Sequence, residues 1–223
     1  MMHYLLPVLA VVFGFGFVTV FQLREKKHMK LLLAFSGAFL LAITIFNLLP
    51  SVFSEYKNSY GIFVMAGILL QIFLEFFSKG AEHGHVHIDK DNHKFPWLLF
   101  LSLSIHAVLE GFPMHHHGHL IYGIVVHKVP IAIILTTFFY KSKMSKASIL
   151  IFLILFALMT PLGSFLSKQL TFLAAYENQI TALVIGIFLH ISTTILFESS
   201  EGHKFNLTKL LVIITATVIA FFV

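Results

Sequence analysis

Two histidines, a carboxylate and a lysine stand where an ionisable side chain is costly. His106 and Glu110 lie in one long apolar run, and His127 and Lys128 lie in the next. Insertion scales put a charged group near the middle of a membrane-spanning helix at about 2.5–3.5 kcal/mol, so such residues usually mark function. His106 and Glu110 are four positions apart and share one helical face. Imidazole with carboxylate suits zinc, iron or manganese rather than calcium or magnesium. The stretch between the two runs is very short. The helices are therefore antiparallel neighbours, and His127 can face the same pair. Gly111 and Pro113 follow Glu110, and Pro130 follows His127; helix breaks of this kind often expose backbone at binding sites near the bilayer midplane. Two readings stand. The groups hydrogen-bond to one another and fasten the helices, or they converge on a metal ion. Three candidate ligands on neighbouring helices, beside helix breaks, favour the metal.

The elements that must position these residues are membrane spans. The chain has 223 residues, 58% apolar and 11% charged, whereas a soluble domain is roughly a quarter charged. Lipid is the solvent that accommodates such an excess. A helix needs about 20 apolar residues to cross the hydrocarbon core. Eight runs qualify, at roughly 4–23, 31–54, 60–79, 96–114, 119–140, 147–168, 177–198 and 205–223. They predict an all-α membrane protein, a single transmembrane domain over 1–223, with a His-rich polar loop at about 80–95. The first run has no basic stretch before it and is long for a signal segment, so it reads as a mature helix. Alternate loops carry the basic residues: Arg24, Lys26, Lys27 and Lys30, then Lys79, Lys90 and Lys94, then Lys141, Lys143 and Lys146, then Lys204 and Lys209. The other loops hold Lys57 and Lys168. The rich side is cytoplasmic by the positive-inside rule, which places both termini outside. This distribution explains the net charge of +5 without a nucleic-acid partner. With no cysteine, disulfides, thiolate metal sites and cysteine nucleophiles are excluded.

Four segments carry a resemblance. Span four reads His106-Ala107-Val108-Leu109-Glu110-Gly111, and span five reads His127-Lys128-Val129-Pro130-Ile131-Ala132. Span two closes with Asn47-Leu48-Leu49-Pro50, and span six contains Thr160-Pro161-Leu162-Gly163. Taken in chain order, with a His-rich loop after span three, they resemble the ZIP family of zinc and iron transporters over nearly the whole chain. The resemblance implies a divalent-metal carrier, not an enzyme, moving metal toward the cytosol. The path would run between helices four and five, near helices two and six, in an eight-span homodimer whose helix bundles move like an elevator. The metal is the substrate, Zn2+ first, with Fe2+, Mn2+ and Cd2+ sharing the ligand chemistry; no cofactor is implied. Many members carry two adjacent metal positions. Here Ala107 stands where Asn is common, Lys128 where an acid often lies, Ile131 in place of Glu or His, and Thr160 in place of an occasional Glu. That pattern implies one metal, held by His106, Glu110 and His127, with a fourth ligand from water, Asn47 or His190. The Lys128 ammonium would stand about where a second cation sits, neutralising Glu110 when metal is absent.

The remaining polar residues divide less sharply. His83, His85, His87 and His93 would hold metal leaving the pore, or form a polar loop with incidental affinity. Met114-His115-His116-His117-Gly118-His119 would concentrate metal outside, or be a hydrophilic turn. Glu75 reads as snorkelling to the interface or capping the packing, and His190 as a satisfied bundle histidine. Glu198 and Glu201 are open to metal exit or plain solvation. Gly14, Gly16, Gly61, Gly67 and Gly186 read as close-packing points. Two rival functions remain: a ZIP-like protein that binds or senses metal without transport, and an intramembrane metalloenzyme such as a zinc hydrolase. Histidine boxes on opposite sides of the membrane cannot build one enzyme centre. The membrane expected is the cytoplasmic (inner or plasma) membrane.

Overall fold

The computed structural model describes residues 2–21, 26–54, 59–81, 95–115, 117–198 and 207–223. It is a bundle of helices with no strand among these residues. The order is α1 (Met2–Phe21), α2 (Lys26–Ile43), a π-helical segment (Thr44–Leu48), α3 (Leu49–Phe53), α4 (Ser59–Ser78) and α5 (Trp97–Gly111). A 3-10 turn (Phe112–His115), α6 (Leu120–Lys141), α7 (Lys146–Gln169), a second 3-10 turn (Thr171–Tyr176), α8 (Glu177–Glu198) and α9 (Leu207–Phe221) complete it. Seven of these stretches are long and apolar enough to cross a membrane. Helix α9 has 15 residues, about 22 Å of helix against a hydrocarbon core of about 30 Å. Helices satisfy their own backbone, which is why lipid tolerates them.

Apolar side chains cover the outside as well as the inside. Along α4, Ile62, Leu69, Phe73 and Phe76 are all exposed, at spacings that draw one stripe along the helix. A soluble protein does not present such a face to water; this is an integral membrane protein. The polar groups that spans contain are bonded locally. Thr44 donates to the Leu40 carbonyl, Thr136 to that of Ala132, and Thr217 to that of Ile213.

The buried residues form two clusters. One joins α2, α4, α8, α9 and mainly the first turns of α6, and includes Leu40, Ile43, Phe188 and Ile191. The other joins α1, α5, α7 and the later turns of α6, around Leu103, Leu135, Phe139 and Phe152. Helix α6 thus lies between them. Within each half, two helices touch backbone to backbone. A Cβ on Gly67 of α4 would overlap the Leu183 carbonyl of α8, and one on Gly186 would overlap the Val64 carbonyl in return. Gly111 of α5 and Gly163 of α7 make the same reciprocal contact, with Thr160 and Val108. Gly16 and Gly61, read from sequence as packing points, have no described atom near such a Cβ. Between α6 and α2 the fit is looser: a Cβ on Gly123 would stand 3.7 Å from the Ile43 Cβ.

Prolines and a left-handed turn shape the bundle, and α6 runs unbroken through Pro130, where the sequence predicts a helix break. Pro50 can neither donate to the carbonyl four residues back nor fit beside it, and the turn just before it widens into the π segment. Pro130 and Pro161 are carried inside α6 and α7. Helix α4 stops at Lys79 and Gly80, whose φ values are 53° and 72°; a left-handed terminator of this kind ends many helices. Ser102 of α5 reaches back to the Leu74 carbonyl at 2.5 Å, tying α4 to α5 across the seam.

Candidate metal centre

The polar residues of α5, α6 and α7 meet inside the second cluster. His106 and Glu110 present one face of α5, as their spacing requires, and His106 Nε2 lies 3.4 Å from Glu110 Oε2. From α6, Lys128 places its ammonium 2.7 Å from Glu110 Oε1. From α7, the Thr160 hydroxyl donates to the same oxygen at 2.6 Å. Exposure of Glu110, Lys128 and Thr160 is 1%, 2% and 0%. A charge with so little solvent is tolerable only when paired and hydrogen-bonded, and Glu110 Oε1 has both partners. The Lys128 ammonium also lies 4.5 Å from the centre of the Phe156 ring, a further cation–π contact from α7.

His127 precedes Lys128 and so points about 100° away around α6. Its Nδ1 lies 3.4 Å from the Ser36 hydroxyl of α2. The His106 and His127 rings are 6.2 Å apart, centre to centre, and inclined at 75°. The structure therefore gathers the sequence-derived residues unevenly. His106 and Glu110 share a face, Lys128 holds the carboxylate, and His127 stands beside His106 but turns toward α2. Among the described residues no three of His, Asp and Glu are placed to hold one metal ion. Ligation needs nitrogens and oxygens about 2.0–2.2 Å from the ion. Reaching that requires the imidazoles to close in on Glu110 Oε2, the oxygen that faces His106, or Lys128 to release Oε1. The chemistry available is the binding of a metal cation by a buried carboxylate, beside Lys128 or in exchange for it.

Asn47 and His190 lie elsewhere. Asn47 is half-buried on the π segment, about 16 Å along the helix from the Ser36 that faces His127, at 1.5 Å per residue. His190 Nε2 pairs with Glu75 Oε2 at 2.7 Å, across the α4–α8 contact. Glu75, read as snorkelling, thus has a partner inside the bundle. His83, His85, His87 and His93 lie outside the described residues. Two groups carried no signal as site residues: Ser36 was one serine in an apolar run, and Thr160 stood only as a replacement for a carboxylate.

No family model matches the chain. It is 26% identical to "Protein zntD" of Dictyostelium discoideum over 150 residues, 57% of this chain and 22% of that protein. It is 32% identical to "Zinc transporter ZIP1" of Danio rerio over 93 residues, 38% of this chain and 30% of that protein. The matched segments span less than a third of either relative's length.

Proposed function

We propose that the chain is a ZIP-like carrier for divalent metal ions, zinc first, with its site between α5 and α6. The observation that carries the reading is the buried Glu110, held by Lys128 and Thr160 beside two imidazoles, within a bundle whose outer faces are apolar. A relative whose name is "Zinc transporter ZIP1" adds support at low identity. In this reading Lys128 is a built-in counter-cation. With metal absent it neutralises Glu110, so the carrier can reset without a bare buried charge. An arriving metal takes its place on Oε1 while His106 and His127 turn to complete the set. Because α6 lies between the two halves, this exchange happens where they meet. Movement toward the cytosol, the outward position of both termini and assembly as a homodimer belong to the same proposal.

One observation favours a second reading. Glu110 Oε1 is already occupied by a lysine, and no three-ligand cluster exists among the described residues, which suits a ZIP-like protein that binds or senses metal without transporting it. Zinc uptake into liposomes carrying the parent, beside the double variant His106→Ala, Glu110→Ala, separates the two. Uptake by the parent alone supports the carrier and its site. Zinc bound by the parent but moved by neither moves the function to sensing, and no binding by either removes the metal reading.

A further inference from the structure

Above Glu110, at the end of the bundle where α5 and α7 stop and α8 begins, the structure holds a cavity of about 30 Å³. That is room for a water or two, or a small ion with part of its hydration. Phe112, Pro113 and Ile180 supply apolar wall, and Ser167, Glu177 and Thr181 supply oxygen. Thr181 is 1% exposed, and its hydroxyl has no hydrogen-bond partner among the described residues. A buried hydroxyl left unmatched beside a polar cavity is costly unless something fills it.

The polar groups do not stop there. On α7, Ser164 lies about one turn from Ser167, and Thr160 one further turn on, together about 10 Å of helix. The Ser164 hydroxyl is fully buried and also lacks a partner among the described residues. Its backbone nitrogen lies 3.0 Å from where a Gly111 Cβ would be, next to Glu110, and Thr160 donates to Glu110 itself. Thr160, Ser164 and Ser167 thus share one face of α7 between Glu177 and the candidate centre, along the seam that the Gly111 contact closes. The alternation of basic loops puts this end outside.

We propose that the cavity bounded by Glu177, Thr181 and Ser167 is an outer cation site, where a divalent ion is held before the α5–α7 seam at Ser164 and Thr160, closed here, parts to admit it to Glu110. The inference rests on the carrier reading and names the route into that site. Its donors are all oxygen, one carboxylate and hydroxyls, which hold a partly hydrated ion loosely. A waiting site must bind well enough to fill and weakly enough to empty. Glu177 also opens α8, where a carboxylate favours the helix terminus, and the test separates that structural role from binding.

Zinc uptake by liposomes is measured for the parent, Glu177→Gln, Glu177→Asp and Thr181→Val. Glu177→Gln is expected to raise KM for zinc about five- to tenfold with kcat within twofold, Glu177→Asp to restore KM to within about twofold, and Thr181→Val to raise it less. An unchanged KM in Glu177→Gln, or a loss confined to kcat, overturns the proposal and leaves the carrier reading standing. A parent that moves no zinc overturns the carrier reading instead. Zinc titrated into the metal-free purified proteins, read at equilibrium, then decides the cavity: a weaker class of sites lost in Glu177→Gln supports it, and identical isotherms overturn it.

Discussion

Replacing Lys128 by methionine keeps the unbranched apolar stem of the side chain and removes the ammonium that lies 2.7 Å from Glu110 Oε1. Glu110, at 1% exposure, keeps the Thr160 hydroxyl and the more distant His106 ring but loses its compensating charge. Breaking a buried pair by removing one partner costs about 3–5 kcal/mol. Glu110→Gln strands the opposite charge and is expected to cost a similar amount. The double variant strands neither, and replacing both partners of such a pair by neutral groups is often close to neutral. Its loss should therefore fall well short of the sum of the single losses, with a coupling of several kcal/mol. At about 2–4 °C per kcal/mol for a chain of this size, each single variant should melt roughly 6–20 °C below the parent in detergent, and the double variant much closer to it. Metal-free protein is used throughout, because bound metal stabilises by mass action. Single variants that melt with the parent, or a double variant that melts at the sum of their losses, would refute the claim that Lys128 is the counter-cation of Glu110.

Other outcomes follow from the same geometry. Thr160→Val removes a hydrogen bond to a charged acceptor and should cost about 1.5–3 kcal/mol, read as a lower melting temperature. Gly163→Ala drives a Cβ into the Val108 carbonyl and should cost about 1–3 kcal/mol, while Gly16→Ala, with no described neighbour at that point, should be neutral or slightly stabilising by helix propensity. His190→Leu should leave zinc uptake within about twofold of the parent, because His190 pairs with Glu75 on the α4–α8 contact; loss of uptake comparable to that of Glu110→Ala would return His190 to the ligand set.

The helical membrane class was legible because hydropathy over long windows reports the solvent, and here lipid is the solvent. The shared face of His106 and Glu110 was legible because helical periodicity alone dictates it. What the sequence withheld is tertiary. Glu75 and His190 are far apart in the chain, and nothing local announces that α4 packs on α8. Ser36 gains meaning only when α2 lies against His127. The glycines make the same point. Gly67 and Gly186 face a neighbouring backbone while Gly16 and Gly61 do not, and composition cannot tell an inward face from an outward one. Gly111 and Gly163 read as parts of motifs, yet their missing side chains are what let α5 and α7 approach closely enough for Thr160 to reach Glu110. Pro50 was visible, but whether the helix would kink, end or widen into a π turn depended on its neighbours.

The looser contact between α2 and α6 offers a mechanical control. A Cβ at position 123 would lie 3.7 Å from that of Ile43, inside the span of about 3.5–4.5 Å that a disulfide needs. The chain contains no cysteine, so the pair Ile43→Cys, Gly123→Cys would be its sole thiols, with no competing partner. Oxidation would bolt α2, at the heart of one cluster, to the helix that lies between both. If the halves must slide past each other for each ion delivered, the oxidised protein falls silent and dithiothreitol revives it. If they need not, the bolted protein keeps working, and the moving parts lie within α5 to α7 alone.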